Sequence, residues 1–224
     1  MDYIYTNKPI KQAALATVGI LRAHLYKGER VLWLLSGGSS LAIANIVSKS
    51  RRLQDLDLSK LYISMTDERY GPVGHPDENW QHLLDSGFDM PGANLYRPLN
   101  GGSIEETTTA FNNWLITQFA TSDYKLGIFG LGVDGHTAGI KPNSSATESI
   151  DMATHYKADD FERITISFIA IKMLDEAVIQ ASGDSKQSIV RELTYDGYPM
   201  NERPSQILKK IPISTLYTNI SKVE

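Results

Sequence analysis

Five short runs of the chain are rich in apolar residues at consecutive positions, and we predict them as β-strands. They lie at residues 31–35, 61–65, 126–129, 164–171 and 213–217. Continuous apolarity, unlike strict alternation with polar residues, is typical of parallel strands that are buried on both faces. The pattern therefore favours a buried sheet over a sheet with one face in solvent.

The segments between these runs carry apolar residues at helical spacing. Helices are predicted at residues 11–26, 41–47, 104–119, 174–179 and 186–193, and a polar loop leading into a short helix at 71–81. Pro9 suits the first helical turn, and Gly28 and Gly183 follow predicted helix ends. The first helix is expected to bury Leu15, Val18, Leu21 and Leu25. Alternating strands and helices predict an α/β fold of three layers, with a mostly parallel twisted sheet between helices.

Composition narrows the class of protein. The 224 residues contain no repeat or long linker, so we expect a single domain over residues 1–224. A formal net charge of -4 provides no basic field for nucleic acid or an anionic membrane surface. Because cysteine is absent, disulfides, thiolate catalysis and thiolate metal sites are excluded. The chain shows no secretory signal and no bilayer-spanning run, so a cytoplasmic location is expected.

The segment Ser36-Gly37-Gly38-Ser39-Ser40 lies between the first predicted buried strand and the next helix. Its glycines let the backbone approach a ligand closely, and the following helix start favours an anion. The pattern indicates a phosphate cradle, and an ordinary turn with a serine cap explains it equally well. It is not a Walker loop, because no Gly-Lys-Ser/Thr follows.

Charged residues end the second predicted strand, at Asp67, Glu68 and Arg69. The guanidinium fork of Arg69 can grip a phosphate or carboxylate, and we predict that Asp67 and Arg69 contact a substrate. The carboxylate of Glu68 can orient a histidine or take a proton. A solvated surface turn is the alternative interpretation.

The most informative segment directly follows the predicted strand at 126–129. It contains glycines, Asp134 and His136. A strand of an open α/β sheet presents such residues at its carboxyl end, where ligands bind. His136 is predicted as a general base or acid, with Asp134 or Glu68 as the carboxylate that orients it. Residues 130–135 match G-x-G-x-x-G, but no acidic residue closes a following strand, so a dinucleotide site is not favoured.

Three further features bear on the chemistry. His75 and His82 frame a polar segment whose spacing fits no zinc motif, so no metal is predicted. Asn79, inside that segment, is a candidate substrate contact. Lys186, after Gly183, is a candidate second cation for a phosphate. No Gly-x-Ser-x-Gly elbow occurs, so water is the expected nucleophile in any hydrolysis.

The ordered set of motifs resembles the 6-phosphogluconolactonases. The motifs are Ser36-Gly37-Gly38-Ser39, Thr66-Asp67-Glu68-Arg69 followed by His75-Pro76-Asp77 and Asn79, residues 130–138, Arg163-Ile164-Thr165, and Gly183 with Lys186. The resemblance covers residues from about 30 to about 190. It implies a fold shared with glucosamine-6-phosphate deaminases and ribose-5-phosphate isomerases. It also implies hydrolysis of 6-phospho-D-glucono-1,5-lactone in the pentose phosphate pathway, without cofactor, metal or nucleotide.

The resemblance also assigns roles. It makes His136 the base, and it places Gly37, Gly38, Ser39, Arg69 and Lys186 on the phosphate side. The partner it implies is a phosphorylated sugar lactone, with no nucleic acid or membrane, and the chain is expected to be a monomer or a homodimer.

The chain departs from the family pattern at two places. Ser40-Leu41 stand where the family often has Ser/Thr-Pro, and Gly139-Ile140-Lys141-Pro142 stand where it often has Ser-Leu-Phe-Pro. Lys141 in place of an aromatic residue changes the local wall of the pocket. Deaminases are the first alternative, but they carry an aromatic residue at Arg69 and a glutamate at Lys141. A sugar-phosphate sensor is the second, and the absence of a DNA-binding segment argues against it.

Overall fold

The computed structural model describes residues 1–195 and 197–221. Its strands are β1 (Asp2–Tyr5), β2 (Val31–Leu35), β3 (Leu61–Met65), β4 (Asp67–Arg69), β5 (Asn94–Leu95), β6 (Tyr124–Gly130), β7 (Ala153–Lys157), β8 (Glu162–Ile166), β9 (Glu176–Gln180) and β10 (Ile213–Thr218). Its α-helices are α1 (Pro9–Tyr26), α2 (Ser39–Ser48), α3 (Arg51–Gln54), α4 (Asn79–Asp85), α5 (Ile104–Thr121), α6 (Phe168–Lys172) and α7 (Gln187–Tyr195). Short 3₁₀ helices cover Ser145–Glu148, Asp184–Lys186 and Pro204–Lys210.

A parallel sheet forms the centre of the fold, in the strand order β1-β10-β9-β6-β2-β3-β5 within the described residues. Every neighbouring pair in that sheet is parallel. Leu32 and Leu34 of β2 point into one buried cluster, and Trp33 of the same strand points into the other. Helices α1 and α2 cover one face and α5 to α7 the other, which confirms the predicted three-layer α/β class.

Most predicted elements are observed with small shifts of their ends. Helix α1 begins at Pro9 and β2 and β3 match their predicted bounds, while Phe111, Leu115 and Phe119 form the buried face of α5. Within α1, however, Leu15 is exposed, and the neighbouring Ala14 takes its place in the buried stripe. No helix in residues 1–195 or 197–221 is long and apolar enough to cross a membrane.

Two predicted elements were wrong in type. Residues 174–179 were predicted as helical, but Glu176–Gln180 is strand β9, paired with β6 and β10. A short apolar run fits a helix and a buried strand equally well, and pairing on both sides decides for the strand. The predicted strand at 164–171 ends at Ile166. There the Ser167 hydroxyl accepts the backbone N–H groups of Ile169 and Ala170 and begins α6.

A small antiparallel sheet, which the sequence did not predict, joins one end of the central sheet. Its strand order is β4-β8-β7. The Thr66 carbonyl accepts the Ile166 N–H at 2.8 Å, and the Thr66 N–H donates to Leu35 of β2 at 2.7 Å. The ladder places Arg69 directly opposite Arg163. Two cations that are distant in sequence therefore lie side by side near the carboxyl ends of β2 and β3.

Leu115→Ala should destabilise the protein, because Leu115 is fully buried within the cluster that covers the sheet. The lost contacts and the residual cavity are expected to lower the free energy of unfolding by about 2–5 kcal/mol. Ile116→Ala on the same helix is the matched control, since Ile116 is 50% exposed, and should change stability by less than about 0.5 kcal/mol. Equilibrium urea unfolding measures both, and equal losses would contradict the observed packing.

Candidate active site

A cavity of about 580 Å³ opens where the parallel strands β2, β6 and β9 end. The segments that line it are distant in sequence and follow different strands. Predicted site residues that line it are Gly37, Gly38, Ser39, Asp67, Arg69, Asn79, His136 and Lys186. The predicted residues Glu68 and Asp134 do not line the cavity, and their contacts show what they do instead.

Asp134 and His136 form one hydrogen-bonded pair at the cavity edge. The Asp134 Oδ1 atom lies 2.6 Å from His136 Nδ1, and it also accepts the His136 backbone N–H at 3.1 Å. Burial raises the pKa of Asp134, but the hydrogen bonds and charge of His136 outweigh it and lower the pKa below its ordinary value. A carboxylate on Nδ1 favours the tautomer with its proton there. The Nε2 atom has no hydrogen-bond partner among the described residues.

Glycines make this turn possible. A Cβ atom on Gly132 would lie 2.1 Å from His136 Nδ1, so any side chain there would displace the imidazole. Gly135 has φ +91°, a conformation that other residues rarely adopt. The Gly132 and Gly135 N–H groups both donate within the turn, to His136 and Gly132 respectively. The second and third glycines of the G-x-G-x-x-G match are therefore explained by the turn itself.

The loop of Gly37, Gly38 and Ser39 lies on another part of the same cavity wall. Gly38 has φ +61° and directly precedes the first turn of α2. A Cβ atom on Gly37 would lie 2.4 Å from Asn79 Oδ1, so this glycine permits close packing of the two segments. Backbone N–H groups at a helix start attract anions. A loop of this geometry can accept a negatively charged group.

Asn79 is buried on the cavity wall and is held at both ends. Its backbone N–H donates to Glu68 at 2.6 Å, and its Nδ2 donates to the Asp67 carbonyl at 3.0 Å. Its Oδ1 atom is buried without a hydrogen-bond partner in the described part of the chain. A buried acceptor without a partner is energetically costly.

Glu68 is fully buried beneath this wall and contacts the backbone rather than His136. Its carboxyl group accepts the N–H groups of Arg69 at 2.9 Å, Asn79 at 2.6 Å and Trp80 at 2.9 Å. The last two belong to the first turn of α4, whose N–H groups lack partners within the helix. Of the two carboxylates predicted to orient His136, the structure therefore places only Asp134 against it. Burial raises the pKa of Glu68 to about 8, although these N–H groups oppose the shift.

Two arginines flank one aromatic ring in the cavity. The guanidinium carbons of Arg69 and Arg163 lie 5.3 Å and 5.7 Å from the Phe161 ring centroid. Arg69 donates to the Asp77 carbonyl at 2.9 Å. Arg163 was not predicted as a site residue, because its place depends on the antiparallel register. Its presence in the Arg-Ile-Thr motif was the available signal.

Lys186 lies beside the histidine turn. Its Nζ atom donates to the Leu131 carbonyl, and it lines the cavity. Burial lowers the pKa of Lys186, and the charge of Asp134 opposes that shift.

His75 and His82 are not gathered at this cavity. His75 Nε2 is hydrogen-bonded to the Arg69 carbonyl at 2.9 Å, and His82 Nε2 contacts the Pro76 carbonyl.

The sequence matches, over residues 6–217, the family described as glucosamine-6-phosphate isomerases/6-phosphogluconolactonase. The chain therefore belongs to this family.

Similar proteins share its length and fold. The 6-phosphogluconolactonase of Synechocystis sp. is 28% identical over 206 residues, which are 86% of this chain and 84% of that protein. The 6-phosphogluconolactonase of Helicobacter pylori (strain J99) is 28% identical over 208 residues, 87% of each chain. The crystal structure of 6-phosphogluconolactonase from Thermotoga maritima has a TM-score of 0.81 at 16% identity, covering 96% of this chain and 97% of that one.

The buried Glu68 predicts a pH dependence of stability. The pKa of Glu68 is about 8 in the folded protein, against 4.5 for an ordinary glutamate. In the pH window between these two values, the folded protein retains a proton that the unfolded chain has lost. Stability should therefore fall as pH rises through the window, by up to about 1.4 kcal/mol per pH unit from this group. Glu68→Gln cannot titrate, so its unfolding free energy should fall less steeply. Urea unfolding across the window measures this, and equal slopes would refute the assignment.

Proposed function

We propose that this protein hydrolyses 6-phospho-D-glucono-1,5-lactone to 6-phosphogluconate in the pentose phosphate pathway. One observation carries the proposal. His136, backed by Asp134, shares a single cavity with the Gly37–Ser39 loop and Arg69. A general base and anion-binding groups on the walls of one cavity suit a substrate with a phosphate at one end and an ester carbonyl at the other. Relatives that carry the 6-phosphogluconolactonase name support the same reaction.

The phosphate end of the substrate is assigned to the cationic part of the cavity. Gly38 is the N-cap of helix α2 and Ser39 is its first residue, so their N–H groups lie at a helix N-terminus, which favours an anion. The guanidinium of Arg69 adds a fork of donors, Arg163 stands beside it, and Lys186 supplies a further positive charge. Fixing the phosphate orients a sugar ring that has few other distinctive features.

The chemical step is assigned to His136. The Nε2 atom takes a proton from water, and the water oxygen attacks the lactone carbonyl carbon to form a tetrahedral oxyanion. The bond between that carbon and the ring oxygen then breaks, and the imidazolium returns the proton to the departing oxygen. Asp134 holds the imidazole and stabilises its charged form.

The oxyanion needs a hydrogen-bond donor near His136. Within the turn, the Gly132 and Gly135 N–H groups are already used internally, so they are poor candidates. Val133 lines the cavity, and its backbone N–H has no acceptor among residues 1–195 and 197–221. We therefore assign the oxyanion contact to Val133.

The proposal further places the whole reaction in one domain of residues 1–224, acting in the cytoplasm without metal or cofactor, as a monomer or homodimer. Deamination or isomerisation of a sugar phosphate is the alternative within the family. The position five residues after His136 holds Lys141, which pairs with Asp160 at 3.0 Å and brings no carboxylate to the imidazole. This favours hydrolysis. Ammonia release from glucosamine 6-phosphate tests the alternative, and phosphosugar binding without any turnover would indicate a sensor.

The direct test is hydrolysis of freshly prepared 6-phosphogluconolactone, corrected for spontaneous ring opening. Turnover well above the uncatalysed rate is expected, while a rate equal to the uncatalysed one would end the proposal.

His136→Ala should lower kcat by ~10²–10⁴ while the protein stays folded, because the general base is lost. His155→Ala is the matched control, since His155 lies on β7 and does not line the cavity. Its kcat should equal that of the unmodified protein. Near-normal turnover of His136→Ala would remove this residue from the chemistry.

Arg69→Ala should raise KM by roughly 10- to 100-fold and lower kcat less, because the lost charged hydrogen bonds serve mainly substrate binding. Arg51→Ala removes the same charge from the exposed surface of α3 and should leave KM unchanged. Steady-state kinetics on the lactone measure both variants. If KM of Arg69→Ala is unchanged, another group holds the phosphate.

A further inference from the structure

A chain of charged side chains crosses the edge of the cavity from Lys141 through Asp160 to Arg163. Asp160 Oδ2 lies 3.0 Å from Lys141 Nζ and 2.8 Å from Arg163 Nη2. Its other oxygen accepts the Phe161 backbone N–H at 2.9 Å. Asp160 and Arg163 line the cavity, and Lys141 does not. The Asp160 carboxylate is thus shared between two cations, and one of them, Arg163, lines the cavity.

Arg163 stands between two carboxylates. In addition to Asp160, the Asp67 Oδ2 atom lies 4.0 Å from its Nη1. Its side chain is only 8% exposed, and its Nε atom is buried without a partner in the described residues. Asp67 and Asp160 therefore both compete with an anionic ligand for Arg163. Lys141 gives Asp160 a second cation to pair with.

The backbone around Lys141 is anchored to the small sheet. The Lys141 N–H donates to the Tyr156 hydroxyl at 3.2 Å, and that hydroxyl donates to the Gly139 carbonyl at 2.6 Å. A Cβ atom on Gly139 would lie 2.8 Å from Asp67 Cβ, so the segment packs tightly against β4. Lys141 is therefore held at a defined place five residues after His136.

We propose that Lys141 is a positioning residue, which draws Asp160 away from full pairing with Arg163 and so keeps Arg163 available to the substrate phosphate. This inference rests on the proposed function. Although burial raises the pKa of Asp160, its hydrogen bonds with Arg163 and Lys141 hold that pKa well below its usual range. Asp160 is thus charged throughout the neutral range, and the competition for Arg163 is permanent.

The test is a double-mutant cycle on lactone hydrolysis. Lys141→Met should raise KM by about three- to tenfold with a smaller change in kcat, because Asp160 then neutralises Arg163. Lys141→Met combined with Asp160→Asn should return KM to within about twofold of the unmodified protein, since the competing carboxylate is also gone. Lys141→Arg should keep a near-normal KM. Rescue by a second substitution is not expected of a residue with a merely structural role.

Lys157→Met is the matched control, because it removes the same charge from an exposed position on β7. Its KM should not change. An unchanged KM for Lys141→Met, or a double variant as impaired as Lys141→Met, would overturn the inference.

Failure of the proposed function would be recognised separately, by the absence of lactone turnover in the unmodified protein. In that event, titration calorimetry with 6-phosphogluconate provides the readout. Weaker binding by Lys141→Met with recovery in the double variant supports the role of Lys141, and equal dissociation constants overturn it.

Discussion

The parallel pairing of the central strands is the constraint on which the rest of the structure depends. Because neighbouring strands run in the same direction, Leu35 of β2 pairs with Met65 of β3 and with Ile128 of β6, and their following residues meet at one edge. Both faces of the sheet are buried beneath helices, so chemically active side chains are confined to the strand ends. A single cavity with residues from several loops follows directly.

At this edge, glycines let the backbone lie close to the side chains of the site. Gly37 and Gly132 each lie where a Cβ atom would collide with a site side chain, Asn79 in one case and His136 in the other. The Gly37–Ser39 loop and the imidazole are thus both placed by glycines rather than by long flexible side chains. Asp134 and Glu68 complete the frame, the first by holding the imidazole ring and the second by binding the backbone of α4.

Local pattern in the sequence was sufficient for the fold class, for strands β2 and β3, and for eight of the residues that line the cavity. It failed where long-range pairing decides the outcome. The run at 174–179 is too short to distinguish a helix from a strand by periodicity, and only its neighbours make it β9. Arg163 reaches the cavity through an antiparallel register that local periodicity does not encode, so the Arg-Ile-Thr motif was its only signal in the sequence. Glu68 follows strand β3, as a site residue would. It is nevertheless buried, because its carboxyl group binds the backbone N–H of Asn79 at the start of α4.

The proposed reaction requires one cavity to hold a phosphate at the Gly37–Ser39 loop and the reacting carbon at His136. A crystal structure of the protein with 6-phosphogluconate tests it most directly. We expect the phosphate within hydrogen-bonding distance of Ser39 and Arg69, and the carboxylate derived from the lactone carbonyl next to His136 Nε2. A phosphate bound outside this loop, or a carboxylate remote from the imidazole, would contradict the account.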